Sequence, residues 1–280
     1  MTSRPMLVLL ALAVFAAVGL YLFNGRDDSL SRLHHEGVIR IGYAVEPPYA
    51  FLTPGGEVAG EAPEIARRVA ASLAIPRIEW RQVEFSGLID ELEAGRIDVI
   101  AAGMFITGER ARRVRFSLPT FHVRPGLLVA RENPKGIRSL RQAVSADDVR
   151  LAILAGAVEE QLLRRLGVTD ARLVVAPDAR TGRQAVESGL ADVLVLSEPT
   201  VAWMATRDGL GRTERLAAES DEAYGRVAFA FRRTDSALAD AWNRILAAYL
   251  GGPEHLALLA RLGLSATQVA TSSASTGGTP

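Results

Sequence analysis

The chain contains no cysteine. Disulfides, thiolate metal ligands, a cysteine nucleophile and a lipid anchor built on an N-terminal cysteine are thereby excluded, and stability must come from packing. A net charge of one sign is missing as well, because 32 Lys and Arg balance 32 Asp and Glu. Without such a field the chain has nothing to hold nucleic acid or an anionic bilayer, and small neutral or zwitterionic partners are the better expectation. Lys135 is the single lysine, a bias read as genome composition rather than function. Catalytic signatures are lacking too. There is no G-x-S-x-G elbow, phosphate loop or dinucleotide fingerprint, and serine, histidine and acid residues form no credible triad. His34, His35, His122 and His255 show no metal-ligand spacing, so neither a metal nor another cofactor is expected.

What is present is ordinary globular composition, 49% hydrophobic and 23% charged, in 280 residues that suffice for two modest domains. The uncharged run 6–23, preceded by Arg4, fits a signal peptide or a membrane anchor, and export follows from either. Its roughly 18 apolar residues exceed a signal core of about 7–15, and no small-x-small site follows before Asn24 and Gly25. An uncleaved anchor at the inner membrane is the favoured reading, with a polar linker ending the segment 1–31.

From residue 38 short apolar strands alternate with amphipathic helices, the pattern of βαβ units and a mostly parallel sheet. Strands are predicted at 38–45, 77–84 and 98–104, with helices at 61–73 and 86–94. A second series repeats this architecture: strands 149–154, 172–175 and 192–196, helices 158–166 and 179–188. Segments 121–131 and 224–233 alternate as extended chain and are read as paired crossover strands. Helices 236–250 and 253–262 then return to the first lobe. The expected division is a discontinuous first lobe at 32–124 and 226–264, a second lobe at 125–225, and a disordered Ser, Thr, Ala and Gly tail at 265–280.

Two lobes joined by two strands can hinge, and pockets in such sheets form beyond the carboxyl ends of the strands. In the first of those loops Glu46 is followed by Pro47, Pro48 and Tyr49, which fits either a preorganised anion beside a π-face or a rigid turn with a solvated glutamate. Phe85 and Phe105 follow two other strands. A ring there is commonly core, yet three loops each place one aromatic at the same sheet edge, and such rings bind a delocalised cation with about 0.5–2 kcal/mol each. Arg110 has the fork to hold a carboxylate bidentately, although it and Arg112, Arg113 and Arg115 are equally read as solvated charges. Gly156 and Ala157 open a helix whose amides could seat a carboxylate, a weak signal by itself.

The order of elements from Val38 to Leu264 resembles the extracellular solute-binding proteins of family 3 that serve ABC transporters. Segments 37–49, 60–66, 92–99 and 106–117 carry the likeness. The resemblance implies a two-lobed α/β fold of the periplasmic-binding-protein type II, a monomer that delivers its ligand to an ABC permease. The runs Glu46-Pro47-Pro48-Tyr49, Gly60-Glu61-Ala62-Pro63-Glu64, Glu84-Phe85 and Ala102-Gly103-Met104-Phe105 are most similar to the ectoine and hydroxyectoine-binding branch. That branch implies that Glu46 pairs with an amidinium, that Tyr49, Phe85 and Phe105 form an aromatic box, and that Arg110 clamps a carboxylate. Gly103 would add backbone contacts and Ala157 would close from the second lobe.

Ser197 departs from the amino-acid-binding relatives, which place an aspartate there for the ligand's ammonium. Glu198 beside it could substitute and keeps polar amino acids open as ligands. Ala157-Val158 also replaces a hydroxyl-rich helix start. The same fold resembles periplasmic dehydratases and lytic transglycosylases, in which Glu46 or Glu159 would be a general acid, and a membrane-held sensory module is a third option. The preferred reading is capture without catalysis.

Overall fold

A computed structural model describes residues 27–208, 211–216 and 225–269. The apolar run 6–23 and residues 270–280 lie outside them, and with them the expected anchor and most of the expected tail. Among the described residues no helix is long and apolar enough to cross a membrane.

The chain opens with α1 (Ser29–Glu36), which starts inside the segment expected to be a linker because Leu33 is fully buried on the first lobe. It continues through β1 (Val38–Tyr43), the small hairpin β2 (Phe51–Leu52) and β3 (Val58–Ala59), α2 (Glu61–Ser72) and β4 (Arg77–Gln82). A single turn at Phe85–Gly87 runs into α3 (Leu88–Glu93), followed by β5 (Val99–Phe105), α4 (Gly108–Arg113), β6 (Val114–Phe116) and β7 (Phe121–Val123). The second series comprises β8 (Pro125–Ala130), α5 (Leu140–Ser145), β9 (Leu151–Leu154), α6 (Val158–Arg165) and β10 (Leu173–Ala176). It ends with α7 (Ala179–Glu187), β11 (Val193–Ser197), α8 (Glu198–Trp203) and β12 (Thr213–Leu216). The chain then returns through β13 (Gly225–Arg232), α9 (Ser236–Tyr249) and α10 (Pro253–Leu262).

Two sheets result, ordered β4-β1-β5-β13-β6 and β10-β9-β11-β8-β12, with β7 also on β13. The parallel part expected from the βαβ pattern is β4, β1 and β5 in one lobe and β10, β9 and β11 in the other. Antiparallel members are the crossover strands, so both sheets are mixed: β13 lies against β5, and β8 against β11. The expected crossover 121–131 splits between sheets, because β7 pairs with β13 through Val123↔Gly225 while β8 joins the second lobe.

The return of the last helices to the first lobe rests on one large ring. Trp242 of α9 is fully buried and packs at 5.2 Å from Phe229 and 5.5 Å from Phe231 of β13, a pairing whose buried area dominates local core energetics. The expected disordered tail begins too early at 265: Ala266–Gln268 forms one helical turn and Val269 bridges Phe121.

Asp98 fixes the lobe electrostatically. Its buried carboxylate accepts from Arg32 Nη2 at 2.8 Å, Arg40 Nη2 at 2.9 Å, the Arg40 amide at 3.0 Å and Arg232 Nη2 at 2.9 Å. Burial acts to raise its pKa, but the guanidinium and amide bonds overcome this and hold it at about 2. Because the folded pKa lies below the ordinary value of 3.8, this stabilisation is present above that value and is lost as pH falls through about 2. Asp98→Asn is expected to lower unfolding stability by about 3 kcal/mol at neutral pH, read as a shifted urea midpoint with unchanged slope; an unshifted midpoint contradicts the role given to Asp98.

Candidate ligand-binding site

The loop after β1 is a tight turn, with the Glu46 amide donating to Ala50 O at 2.8 Å and the Tyr49 amide to Glu46 O at 3.0 Å. The turn holds the Glu46 side chain inward, 7% exposed. From the second lobe, Thr200 Oγ1 in the first turn of α8 donates to Glu46 Oε1 at 2.8 Å. Ser197 Oγ at the end of β11 bonds Thr200 Oγ1 at 2.9 Å, so a buried hydroxyl pair from one lobe meets a carboxylate of the other.

Glu159, in the first turn of α6, is buried as well. Burial pushes the Glu46 carboxyl up to about 8, with the Glu159 charge adding to the rise and Thr200 and Arg110 opposing it. Burial likewise raises Glu159 to about 7, against the pull of its own backbone amide and of Arg110. Glu61 at the start of α2 is raised by burial to about 7, with Thr120 opposing, and it faces the same region through its effect on Tyr49.

Arg110 comes from α4, capped by Thr107, whose Oγ1 accepts from the Arg110 amide at 3.1 Å. The guanidinium points inward. Nη1 donates to Phe105 O at 2.9 Å, and Nη2 reaches across to Gly156 O of the second lobe at 2.8 Å. Its carbon stands 5.4 Å from the Phe85 ring centroid, a cation–π distance.

Four of the eight residues expected from the sequence fall in two apolar groups, which divide the three expected rings between them. Phe85 and Ala157, one from each lobe, share one buried cluster. Tyr49 and Phe105 share another, with Phe121, Val123 and Val227. The Tyr49 hydroxyl lies beside Ser197 without a well-formed hydrogen bond. Gly103 has φ +61°, and an added Cβ would stand 2.5 Å from Tyr49 Cγ, so glycine is required for the ring to lie against β5.

The seat for a carboxylate on the Gly156 and Ala157 amides is not formed. Gly156 N donates to Glu160 Oε2 at 3.0 Å, and Ala157 N to Leu154 O at 3.1 Å, so both donors are satisfied within the protein. Glu198 is not available in place of an aspartate at 197, since it accepts from Arg215 Nη1 at 2.5 Å. Thr200 was not foreseen, and Glu159 only as a general acid. Among the described residues no group of His, Cys, Asp and Glu is arranged to hold a metal ion.

A cavity of about 1000 Å³ also opens between the lobes, with Phe85 in its wall. Of the eight expected residues Phe85 alone lines it.

Residues 39–258 match the model of the bacterial extracellular solute-binding proteins, family 3. The chain belongs to that family. A probable amino-acid ABC transporter periplasmic-binding protein of Sinorhizobium fredii is 31% identical over 244 residues, covering 84% of this chain and 80% of its own length. EhuB, solved in complex with hydroxyectoine, superposes with a TM-score of 0.80 at 30% identity, covering 86% of this chain and 95% of that one. An ancestral amino acid-binding protein, a precursor of cyclohexadienyl dehydratase, gives 0.75 at 25% identity over 83% and 98% of the two chains. The chain is thus an extracytoplasmic solute-binding component of an ABC transporter, with the two-lobed type II fold.

Gly156 lies against the first lobe. Its φ is +73°, and an added Cβ would stand 3.1 Å from Cα and Cβ of Ser86 in the first lobe. Left-handed backbone costs a non-glycine residue roughly 1–2 kcal/mol, and the extra atom strikes the opposite lobe. Gly156→Ala is expected to shift the protein towards an open form, seen by small-angle X-ray scattering as a larger radius of gyration with unchanged circular dichroism; an unchanged radius contradicts this contact.

Proposed function

We propose that the chain captures a small cyclic zwitterion, ectoine or hydroxyectoine, between its lobes and presents the closed form to an ABC permease. The observation that carries this reading is the buried centre itself: two carboxylates, Glu46 and Glu159, and one guanidinium, Arg110, gathered from both lobes. With one acid ionised and the other protonated the centre holds one buried charge of each sign, and a buried charge demands a partner. A zwitterion supplies a delocalised cation to the acids and a carboxylate to Arg110. The rings of Tyr49 and Phe105, which share one group, suit a flat cation better than a hydrated ammonium, while the Phe85 face holds the Arg110 guanidinium. Gly103, Ala157 and Ser197 shape the walls in this reading. The likeness to EhuB bound to hydroxyectoine supports the same ligand class.

A polar amino acid is the second ligand class, supported by the amino-acid-binding relatives. Against it stands Glu198, engaged by Arg215. The raised acids also suit a general acid, as in an enzyme of this fold, and recovery of the bound molecule unchanged distinguishes capture from turnover. In this reading the protein acts as a monomer, and the run 6–23 tethers it beside its permease, raising local concentration.

A calorimetric panel of ectoine, hydroxyectoine, glycine betaine, proline and polar amino acids is expected to rank the first two tightest and to return them chemically unchanged. Arg110→Ala removes a charge-assisted clamp and is expected to weaken binding roughly 30- to 150-fold. Unaltered affinity in that variant removes the proposed site.

The pH dependence has a definite sign. Glu46 and Glu159 titrate at about 8 and 7, above the ordinary value of 4.5. Their contribution to folding is therefore full below that value and is lost as pH rises through those two. A cationic ligand group favours the ionised acids and drives protons off, so affinity is expected to climb from about pH 6 and level above about pH 8. Proton release measured in buffers of different ionisation enthalpy checks this; Glu46→Gln should remove most of it, and proton uptake contradicts the cation assignment.

A further inference from the structure

The cavity of about 1000 Å³ lined by Phe85 but not by Glu46 or Arg110 is as large as small-molecule sites become, roughly 300–1000 Å³. A compact zwitterion held at Glu46 and Arg110 leaves it unexplained. Its walls come from both lobes: Pro47, Phe51 and Phe85 from the first, Arg180, Arg183 and Trp203 from the second. Phe51 and Trp203 meet across the gap, with ring centroids 5.1 Å apart at 44°.

The charge on these walls is mostly positive. Arg207 also lines the cavity and stacks over Trp203 at 4.6 Å, with one nitrogen donating to Arg261 O at 3.3 Å. Arg183 is ion-paired to Glu187 at 3.4 Å, and Arg180 is exposed to solvent. Glu84 and Asp178 are the acids present, and the Asp178 carboxylate already caps α7, accepting from the Thr181 amide at 2.7 Å. Among the described residues three guanidiniums thus line a cavity with apolar rings and prolines, Arg183 balanced by Glu187 and Glu84 the one lining acid outside the helix cap.

We propose that this outer half of the cleft is a second binding site, for an aromatic carboxylate. The ring would rest on Phe51, Phe85 and Trp203, and the carboxylate would meet Arg180 and Arg207 in a charge-assisted, planar pairing. Because its walls belong to different lobes, the occupant binds the closed form better than the open one and favours closure over the inner site. The proposal goes beyond the inner-site reading and does not require its ligand.

The test is calorimetric titration of the full chain with indole-3-acetate, and with tryptamine as the same ring carrying a cation. Indole-3-acetate is expected to bind at one site and tryptamine not at all. Arg180→Gln combined with Arg207→Gln should weaken the acid at least tenfold, and Trp203→Ala should do the same. Equal binding of acid and amine, no saturable binding of either, or insensitivity to the arginine pair overturns the proposal. Ectoine titrated into the same preparations reports the inner site separately, so failure of one reading is not mistaken for failure of the other.

Discussion

Two carboxylates and one guanidinium are buried where the lobes meet, and the surrounding protein cannot neutralise them with what it holds there. Glu46 is met by a threonine hydroxyl and Arg110 by two backbone carbonyls, partners that ease desolvation without matching charge. Burial raises the pKa of both acids, and the Glu159 charge adds to the rise at Glu46. In the proposed function a ligand carrying both signs on a compact body meets both kinds of buried charge.

The same constraint explains how closure and binding are linked. Two hydrogen bonds of the centre cross between lobes, Thr200 to Glu46 and Arg110 to Gly156, and Phe85 and Ala157 share one buried cluster. Separating the lobes exposes the acids to water, and closing them withdraws that water. The first lobe meanwhile is rigid on its own account, pinned by Asp98 among Arg32, Arg40 and Arg232 and by Trp242 against β13. The chain passes from the first sheet to the second at Arg124, between β7 and β8.

Much of the fold was legible in the sequence because the βαβ periodicity is long and regular, and strands β1, β4, β5, β9 and β11 fall within a few residues of their expected places. The losses have local causes. Segment 121–131 reads as one alternating run although Arg124 divides it between two sheets, since periodicity does not show which partner a strand takes. The hairpin β2/β3 is too short to carry a pattern, and α1 hides in a polar stretch because it buries little beyond Leu33 and Ser29. In the site, Glu46 and Arg110 stood out through the proline-stiffened turn and the family likeness. Thr200 and Glu159 did not, since hydroxyls and acids in the first turn of a helix are ordinary there. The amide seat at 156–157 failed for a reason the sequence held in view: Glu160 follows four residues after Gly156 and takes its N–H.

The account is tested most directly by a crystal structure of the full chain grown with ectoine. It predicts density in the inner cleft, with the ligand's carboxylate on Arg110 in place of the Gly156 carbonyl and its ring nitrogens within about 3 Å of Glu46. Density confined to the outer cavity, or a ligand whose carboxylate lies away from Arg110, contradicts it.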